Sequence, residues 1–307
     1  MKKNIRFNII ALMLLGSVST VFSQQLPQFT QYMFNMISIN PAYAGSRETL
    51  SIVGLHRSQW IGLNGAPTTQ TLSIHSPLKN ENIGLGLSFV KDKLGFENFS
   101  YLYADFSYTI NLSREVQLAF GLKGGFTSFI LDQEIRDAAP NDPIISSIEN
   151  KWSPNIGAGL FLHSNRWYAG LSAPRILEPD YTGSDNFDAL ERVSYYFTGG
   201  VVLDVNNNTK FKPSFLVKTT SGAPLSYDLT ANFLFNEKLW LGAAYRFNES
   251  AGAFGAILDF QVSKQLRIGY SYEHPTSDIS PFGNGTHEIL LIFEFSKNEQ
   301  VRSPRYF

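Results

Sequence analysis

The sequence predicts a transmembrane antiparallel β-barrel, on three observations: recurrent apolar–polar alternation, alternating connection lengths and an N-terminal secretory signal. In one typical stretch the polar positions are Ser226, Asp228, Thr230 and Asn232, and the apolar ones between and around them are Leu225, Tyr227, Leu229, Ala231, Phe233 and Phe235. A period of two places the two sets on opposite faces of a strand. Because such stretches recur nearly to the C-terminus, the pattern favours a barrel with a lipid-facing exterior and a polar interior.

The first 23 residues have the pattern of a signal peptide. Lys2, Lys3 and Arg6 are basic, residues 9–15 are apolar, and cleavage is expected after Ser23. A transmembrane helix is the alternative, but the apolar run is too short for one. We therefore predict export, with a mature chain that begins at residue 24.

Composition excludes several classes of function. The formal net charge of −1 gives no indication of nucleic-acid binding. Since the chain has no cysteine, it has no disulfide, thiol nucleophile or thiolate metal site.

About fourteen strands are predicted, and their connections alternate in length. The strands are 50–59, 67–76, 83–92, 99–110, 116–130, 152–162, 166–173, 192–205, 209–219, 224–235, 238–247, 252–262, 265–274 and 286–296. The even-numbered connections are tight, whereas the odd-numbered ones are generally longer. Short periplasmic turns and longer extracellular loops are typical of outer-membrane barrels, and a soluble β-sandwich has no reason to keep this alternation. We predict a barrel over 48–296 with both termini in the periplasm of a Gram-negative bacterium.

Two segments flank the predicted barrel. In the periplasmic segment 24–47, Tyr32, Met33, Phe34 and Ile37 are too apolar for a free tail. They are expected to pack under the barrel rim; the alternatives are that they plug the lumen or dock a partner.

The periplasmic tail 297–307 carries Arg302, Arg305 and Phe307. It suits barrel assembly and an acidic periplasmic partner equally. Trp60, in the first outward loop, is expected to belong to an aromatic girdle, with a substrate-receiving loop as the alternative. These residues complete the candidate partner-binding set.

Charges predicted to face the interior have mixed sign: Arg57, Asp105, Lys123, Asp228, Arg246, Asp259, Arg267, Glu273 and Glu294. A ring of one sign would favour an ion-selective pore, whereas mixed charges favour a bridged network that stiffens a closed lumen. Whether water passes stays open, because fourteen strands lie between filled small barrels and open porins.

Nothing in the sequence indicates catalysis. Of the histidines, only His287 is next to an acid, Glu288, and adjacent strand residues point to opposite faces. No nucleophile elbow or metal-ligand spacing occurs. We predict no catalytic residues, no metal and no cofactor.

Several segments together resemble the PorP/SprF family of type IX secretion system membrane proteins: QFTQYMFN at 28–35, NPAYAGS at 40–46, HRSQWIG at 56–62, GAPTTQTLS at 65–73, HSPL at 75–78, IGLG at 83–86, DKLG at 92–95 and SPRYF at 303–307. The resemblance implies an outer-membrane barrel. It also implies one of two partners: a large secreted adhesin, bound through its C-terminal domain for export or attachment, or the periplasmic ring subunits. The alternatives are a passive porin and, less favoured, a barrel enzyme.

Overall fold

The computed structural model describes residues 27–148, 150–179, 191–248 and 251–295. The predicted signal peptide, its cleavage site and the tail 297–307 lie outside the described residues. The described strands belong to one antiparallel sheet, in which each barrel strand pairs with the barrel strands before and after it in the sequence. Pairing of the last strand with the first closes the sheet into a barrel.

The strand segments are β1 (Leu50–Ser58), β2 (Thr68–Pro77), β3 (Ile83–Leu94), β4 (Glu97–Asn111), β5 (Gln117–Leu131), β6 (Lys151–His163), β7 (Trp167–Ala173), β8 (Ser194–Val201), β9 (Leu203–Asn206), β10 (Thr209–Thr220), β11 (Ser226–Phe235), β12 (Leu239–Phe247), β13 (Ala253–Gln261), β14 (Leu266–Pro275) and β15 (Thr286–Phe295). The connection between β5 and β6 holds two short helices, α1 (Gln133–Ala138) and α2 (Pro143–Ser147).

The predicted strand 192–205 is interrupted at Val202, so that β8 and β9 together form one of the fourteen barrel strands. Val201 pairs with Trp167, the first residue of β7. The next amide, that of Val202, donates to the carbonyl of Arg166 at 2.7 Å. β9 then pairs with β10 alone. The interruption therefore falls opposite the first residue of β7, beyond which β8 has no partner strand on that side.

The predicted strand facing is correct. Phe197, Leu229 and Leu258 are about half exposed on the outer wall, whereas the residue that follows each of them is buried. These buried neighbours are Thr198, Thr230 and Asp259. A period-two pattern thus identified which face meets lipid.

The two ends of the barrel differ in their connections. The long-loop end carries 59–67, 95–96, 132–150, 174–193, 221–225, 248–252 and 276–285. The short-turn end carries 78–82, 112–116, 164–166, 207–208, 236–238 and 262–265. One connection departs from the expected alternation: β3 and β4 are joined by residues 95–96 alone, because both strands extend beyond their predicted bounds. In the described part of the chain, no helix is both long and apolar enough to span a bilayer.

The segment before β1 lies inside the barrel instead of beneath its rim. It forms three 3-10 turns, Tyr32–Phe34, Met36–Ser38 and Pro41–Tyr43. At the start of the third, the Asn40 side chain accepts a hydrogen bond from the Ala42 amide at 3.0 Å, and Pro41 occupies the first helical position, where its fixed φ fits. We call residues 27–47 the plug. A barrel of this size has an interior that side chains of its wall cannot fill alone, which explains why the segment enters it.

Candidate functional site

The plug fills the lumen with apolar side chains. Met33, Met36 and Ile37 are fully buried, and Tyr32 is nearly so. They form one core with inward wall residues that include Phe161, Leu216, Trp240 and Leu290. The ring of Phe34 meets that of Trp240 edge-on at 5.8 Å, and Tyr43 meets Phe161 in the same way at 5.4 Å. The barrel interior is therefore packed as a hydrophobic core in this region, not lined for water.

Inward-facing glycines let the plug backbone touch the wall. A Cβ on Gly121 would lie 2.1 Å from the Ala42 nitrogen, and one on Gly84 would lie 2.1 Å from the Ala44 oxygen. Real Cβ atoms do not approach other atoms so closely, so any side chain at these positions would push the plug away from the wall. Gly84 belongs to the IGLG segment at 83–86, which gives that motif a packing role.

Hydroxyl and carbonyl groups of the wall satisfy polar groups of the plug. Ser107 donates to the Ala44 carbonyl at 2.6 Å, and Ser172 donates to the Ile39 carbonyl at 2.7 Å. Asn40 donates through Nδ2 to the Leu160 carbonyl at 2.9 Å. Burying the irregular backbone of the plug requires such partners, because an unpaired buried amide or carbonyl is costly.

A chain of charges anchors the first residues of the plug. Glu288 accepts the backbone N–H groups of Thr30 at 2.8 Å and Gln31 at 3.1 Å, and also pairs with Arg57. Arg57 reaches Glu273 at 2.9 Å as well. From Glu273 the network continues through Arg246 to Asp228, which accepts from Gln28 Nε2. The plug is thus bound by charges as well as by apolar packing.

All of the predicted inward charges are buried, as expected. Three further ion pairs complete the arrangement: Lys123–Asp105 at 2.8 Å, Arg267–Asp259 at 2.6 Å and Arg47–Glu294 at 2.7 Å. The prediction did not include Lys212, Lys218 and Glu288, which are also buried. Their positions on the inward register of β10 and β15 could have identified them. The ammonium of Lys212 lies 4.7 Å from the centre of the Phe34 ring, an interaction that the sequence does not reveal.

A small cleft remains at the long-loop mouth of the lumen, with a volume of about 50 Å³. Pro27 and Phe29 of the plug form one side, and Tyr101 and Tyr196 lie opposite. Arg175 lies over the Tyr101 ring at 4.2 Å and pairs with Glu191 at 2.9 Å. Burial disfavours the charge of Arg175, but Glu191 and the neighbouring tyrosines more than offset this and raise its pKa above the ordinary value. The cleft has room for a few water molecules.

Two loops of the long-loop end are joined by backbone hydrogen bonds. The Ile61 amide donates to the Gly285 carbonyl at 2.9 Å, and the Asn284 amide donates to the Ile61 carbonyl at 2.7 Å. Trp60 has a positive φ of 48°, which turns the chain toward this contact. Ile61 is 40% exposed and Phe282 is 67% exposed. We call the pair Ile61 and Phe282 the rim ridge; it is an ordered apolar surface outside the lumen.

The outer wall also carries a shallow groove of about 700 Å³ across β7, β8 and β10–β13. Small outward residues, among them Ala231 and Ala243, form its floor, and larger ones such as Leu229 and Phe254 border it. The groove lies on the face that meets acyl chains.

The predicted candidate residues therefore occupy three different places. Tyr32, Met33, Phe34 and Ile37 lie inside the lumen, buried against the wall, and form no exposed surface. Trp60 lies half-buried in the rim. Arg302, Arg305 and Phe307 fall outside the described residues. Across the described ranges, no group of three or more His, Cys, Asp or Glu side chains could hold a metal ion.

A closed fourteen-strand antiparallel barrel with an apolar exterior and a buried interior of bridged charges defines a membrane protein of the outer-membrane barrel class. A family model described as "Type IX secretion system membrane protein PorP/SprF" matches residues 21–293. The chain belongs to this family. No curated protein matches the chain.

Two solved structures, the first two of the three below, support the fold. The CymD monoaromatic hydrocarbon channel aligns with a TM-score of 0.53 and 12% identity, covering 88% of this chain and 94% of its own. The Ralstonia pickettii toluene transporter TbuX aligns with a TM-score of 0.51 and 11% identity, covering 86% of this chain and 94% of its own. The Acinetobacter baumannii outer membrane protein Omp33 aligns with a TM-score of 0.48 and 9% identity, covering 81% of this chain and 98% of its own. At such identities the likeness concerns architecture alone.

Proposed function

We propose that this protein is a binding accessory of the type IX secretion system. It holds a secreted adhesin through its C-terminal domain for export or surface attachment, or it anchors the periplasmic ring to the outer membrane. The filled lumen carries this proposal. A protein whose interior is packed with its own chain acts through its ends and its wall.

The same observation disfavours a passive porin. The plug contributes buried apolar side chains, hydrogen bonds and ion pairs along the length of the lumen. The cleft of about 50 Å³ at the long-loop mouth is too small for a nutrient-sized solute. We also propose a binding role in preference to catalysis, since most of the buried charges lie in ion pairs and several of them contact the plug.

The two ends suit different partners. At the long-loop end, which we place outside the cell, the rim ridge offers exposed apolar side chains held by paired backbone. At the short-turn end, which we place in the periplasm, the basic tail with Arg302, Arg305 and Phe307 would meet an acidic ring subunit. Trp60 positions the ridge, while Tyr32, Met33, Phe34 and Ile37 contribute by closing the barrel.

Co-purification of the affinity-tagged barrel from its native membrane tests the proposal. The double substitution Ile61→Ser and Phe282→Ser is compared with deletion of 301–307 and with Leu112→Ser, an exposed apolar residue at the short-turn end. Loss of a secreted adhesin with the ridge variant alone favours the adhesin role. Loss of ring subunits with the tail deletion alone favours the anchor role. If wild-type protein recovers no type IX component, the proposal is wrong.

A further inference from the structure

The plug runs through the lumen in one direction. Gln28, near its beginning, donates to Asp228 at 2.7 Å and accepts from Ser226 at 3.4 Å. Ser226 is the first residue of β11, directly after the connection 221–225 at the long-loop end. Thr30 follows at Glu288, the third residue of β15, which also starts from the long-loop end. The plug therefore begins at the long-loop mouth.

The contacts then move steadily toward the opposite end. Asn35 donates to Thr71 in the middle of β2 at 3.1 Å. Ala44 accepts from Ser107, near the short-turn end of β4. Arg47 pairs with Glu294, and the Thr49 hydroxyl donates to the carbonyl of Phe295, where β15 finishes. Only after this passage does the chain enter β1 at Leu50.

We propose that the protein threads its own barrel, so that Pro27 lies at the long-loop mouth while β15 finishes at the short-turn end. The two ends of the described chain then lie at opposite mouths of the barrel. With the orientation that the proposed function assumes, the plug enters the lumen from the cell surface. This proposal differs from the expectation, drawn from strand parity, that both termini are periplasmic.

The prediction from the number of strands does not include this crossing, because the plug is not a strand. An even number of strands returns the chain to the side where β1 began, but the plug crosses the lumen once more without pairing in the sheet. Pro27 and Phe29 consequently line the mouth cleft beside Tyr101 and Tyr196. The long-loop surface is then a composite of wall loops and the start of the mature chain, and a partner that binds there meets both.

Cysteine pairs test the path, and the absence of native cysteine removes any background. Gln28→Cys with Ser226→Cys should form a disulfide on oxidation with copper phenanthroline, seen as a mobility shift that a reductant reverses. Gln28→Cys with Ser107→Cys is the mismatched control and should form none. A 28–107 disulfide in place of a 28–226 disulfide would overturn the proposal. Retained heat-modifiable mobility on electrophoresis shows that each variant has folded.

Surface labelling supplies the second measurement. On intact cells, a membrane-impermeant maleimide should label Pro27→Cys and Asn64→Cys, a long-loop position, to a similar extent. Ser113→Cys, in a short turn, should be labelled only after permeabilisation. If Pro27→Cys, like Ser113→Cys, is labelled only after permeabilisation, threading is contradicted. If Pro27→Cys is labelled under neither condition, the result of the disulfide experiment determines whether threading is correct. Failure of co-purification with these labels unchanged would reject the proposed function and leave threading intact.

Discussion

Glu288 binds Arg57 of the neighbouring strand and, with the same carboxylate, the backbone N–H groups of Thr30 and Gln31. One side chain thus joins two strands of the wall to the plug. Because Glu288 is fully buried, these partners and the Ser271 hydroxyl, which donates to the carboxylate at 3.3 Å, replace its lost hydration. The ion network is therefore part of what keeps the lumen closed.

Replacing Glu288 should destabilise the barrel. Glu288→Gln leaves Arg57 with one of its two carboxylate partners, and breaking a buried pair in this way costs about 3–5 kcal/mol. Urea unfolding in detergent or lipid should show a matching fall in the free energy of unfolding. Arg166→Gln is the control, because its pair with Asp204 is exposed to water and should contribute little. Equal effects of the two substitutions would argue against an anchoring role for Glu288.

Gly121→Ala should displace the plug. The added methyl group would clash with the backbone of Ala42, and overpacking of this kind costs about 1–3 kcal/mol. Gly124→Ala, on the same strand but facing outward with nothing within 4 Å, should have little effect on stability. Protease sensitivity of the plug in the folded barrel is the measurement. If Gly121→Ala leaves the plug as resistant as Gly124→Ala does, the close contact is not needed.

Charges on the outer wall should be costly. Leu229→Lys and Leu258→Lys should each lower the free energy of unfolding by about 2–4 kcal/mol if these residues lie near the bilayer centre. The exposed-turn substitution Asn208→Lys is the control. A charge at the neighbour Thr230 should also be costly, because Thr230 is buried in the filled interior. A neutral result for both leucine substitutions would place them outside the membrane.

The sidedness of the loops is open to direct test. Epitope tags inserted after Asp142 in the connection 132–150, or within 174–193, should be bound by antibody on intact cells. A tag at Asn207 should be bound only after the outer membrane is permeabilised. The reverse pattern would invert the proposed orientation.

The barrel could be predicted because its determinants are local. Period-two alternation identifies strands and facing, as for Leu229 and Thr230, and it also identified most of the inward charges. The plug could not be placed this way, since residues 27–47 have no period and their partners are distant in sequence: Thr30 binds Glu288, 258 positions away. The signal that was available lay in the wall. Gly84 and Gly121 fall on inward positions, and inward glycine in a strand indicates close approach of another backbone.

Conductance in planar lipid bilayers measures directly whether the lumen is closed. Purified full-length protein should insert without producing stable conductance steps, since the plug and its ion pairs fill the interior. The disulfide-locked variant Gln28→Cys with Ser226→Cys should behave identically. Stable steps from wild-type protein that disappear in the locked variant would show that the plug leaves the lumen, and would contradict this account in favour of a gated channel.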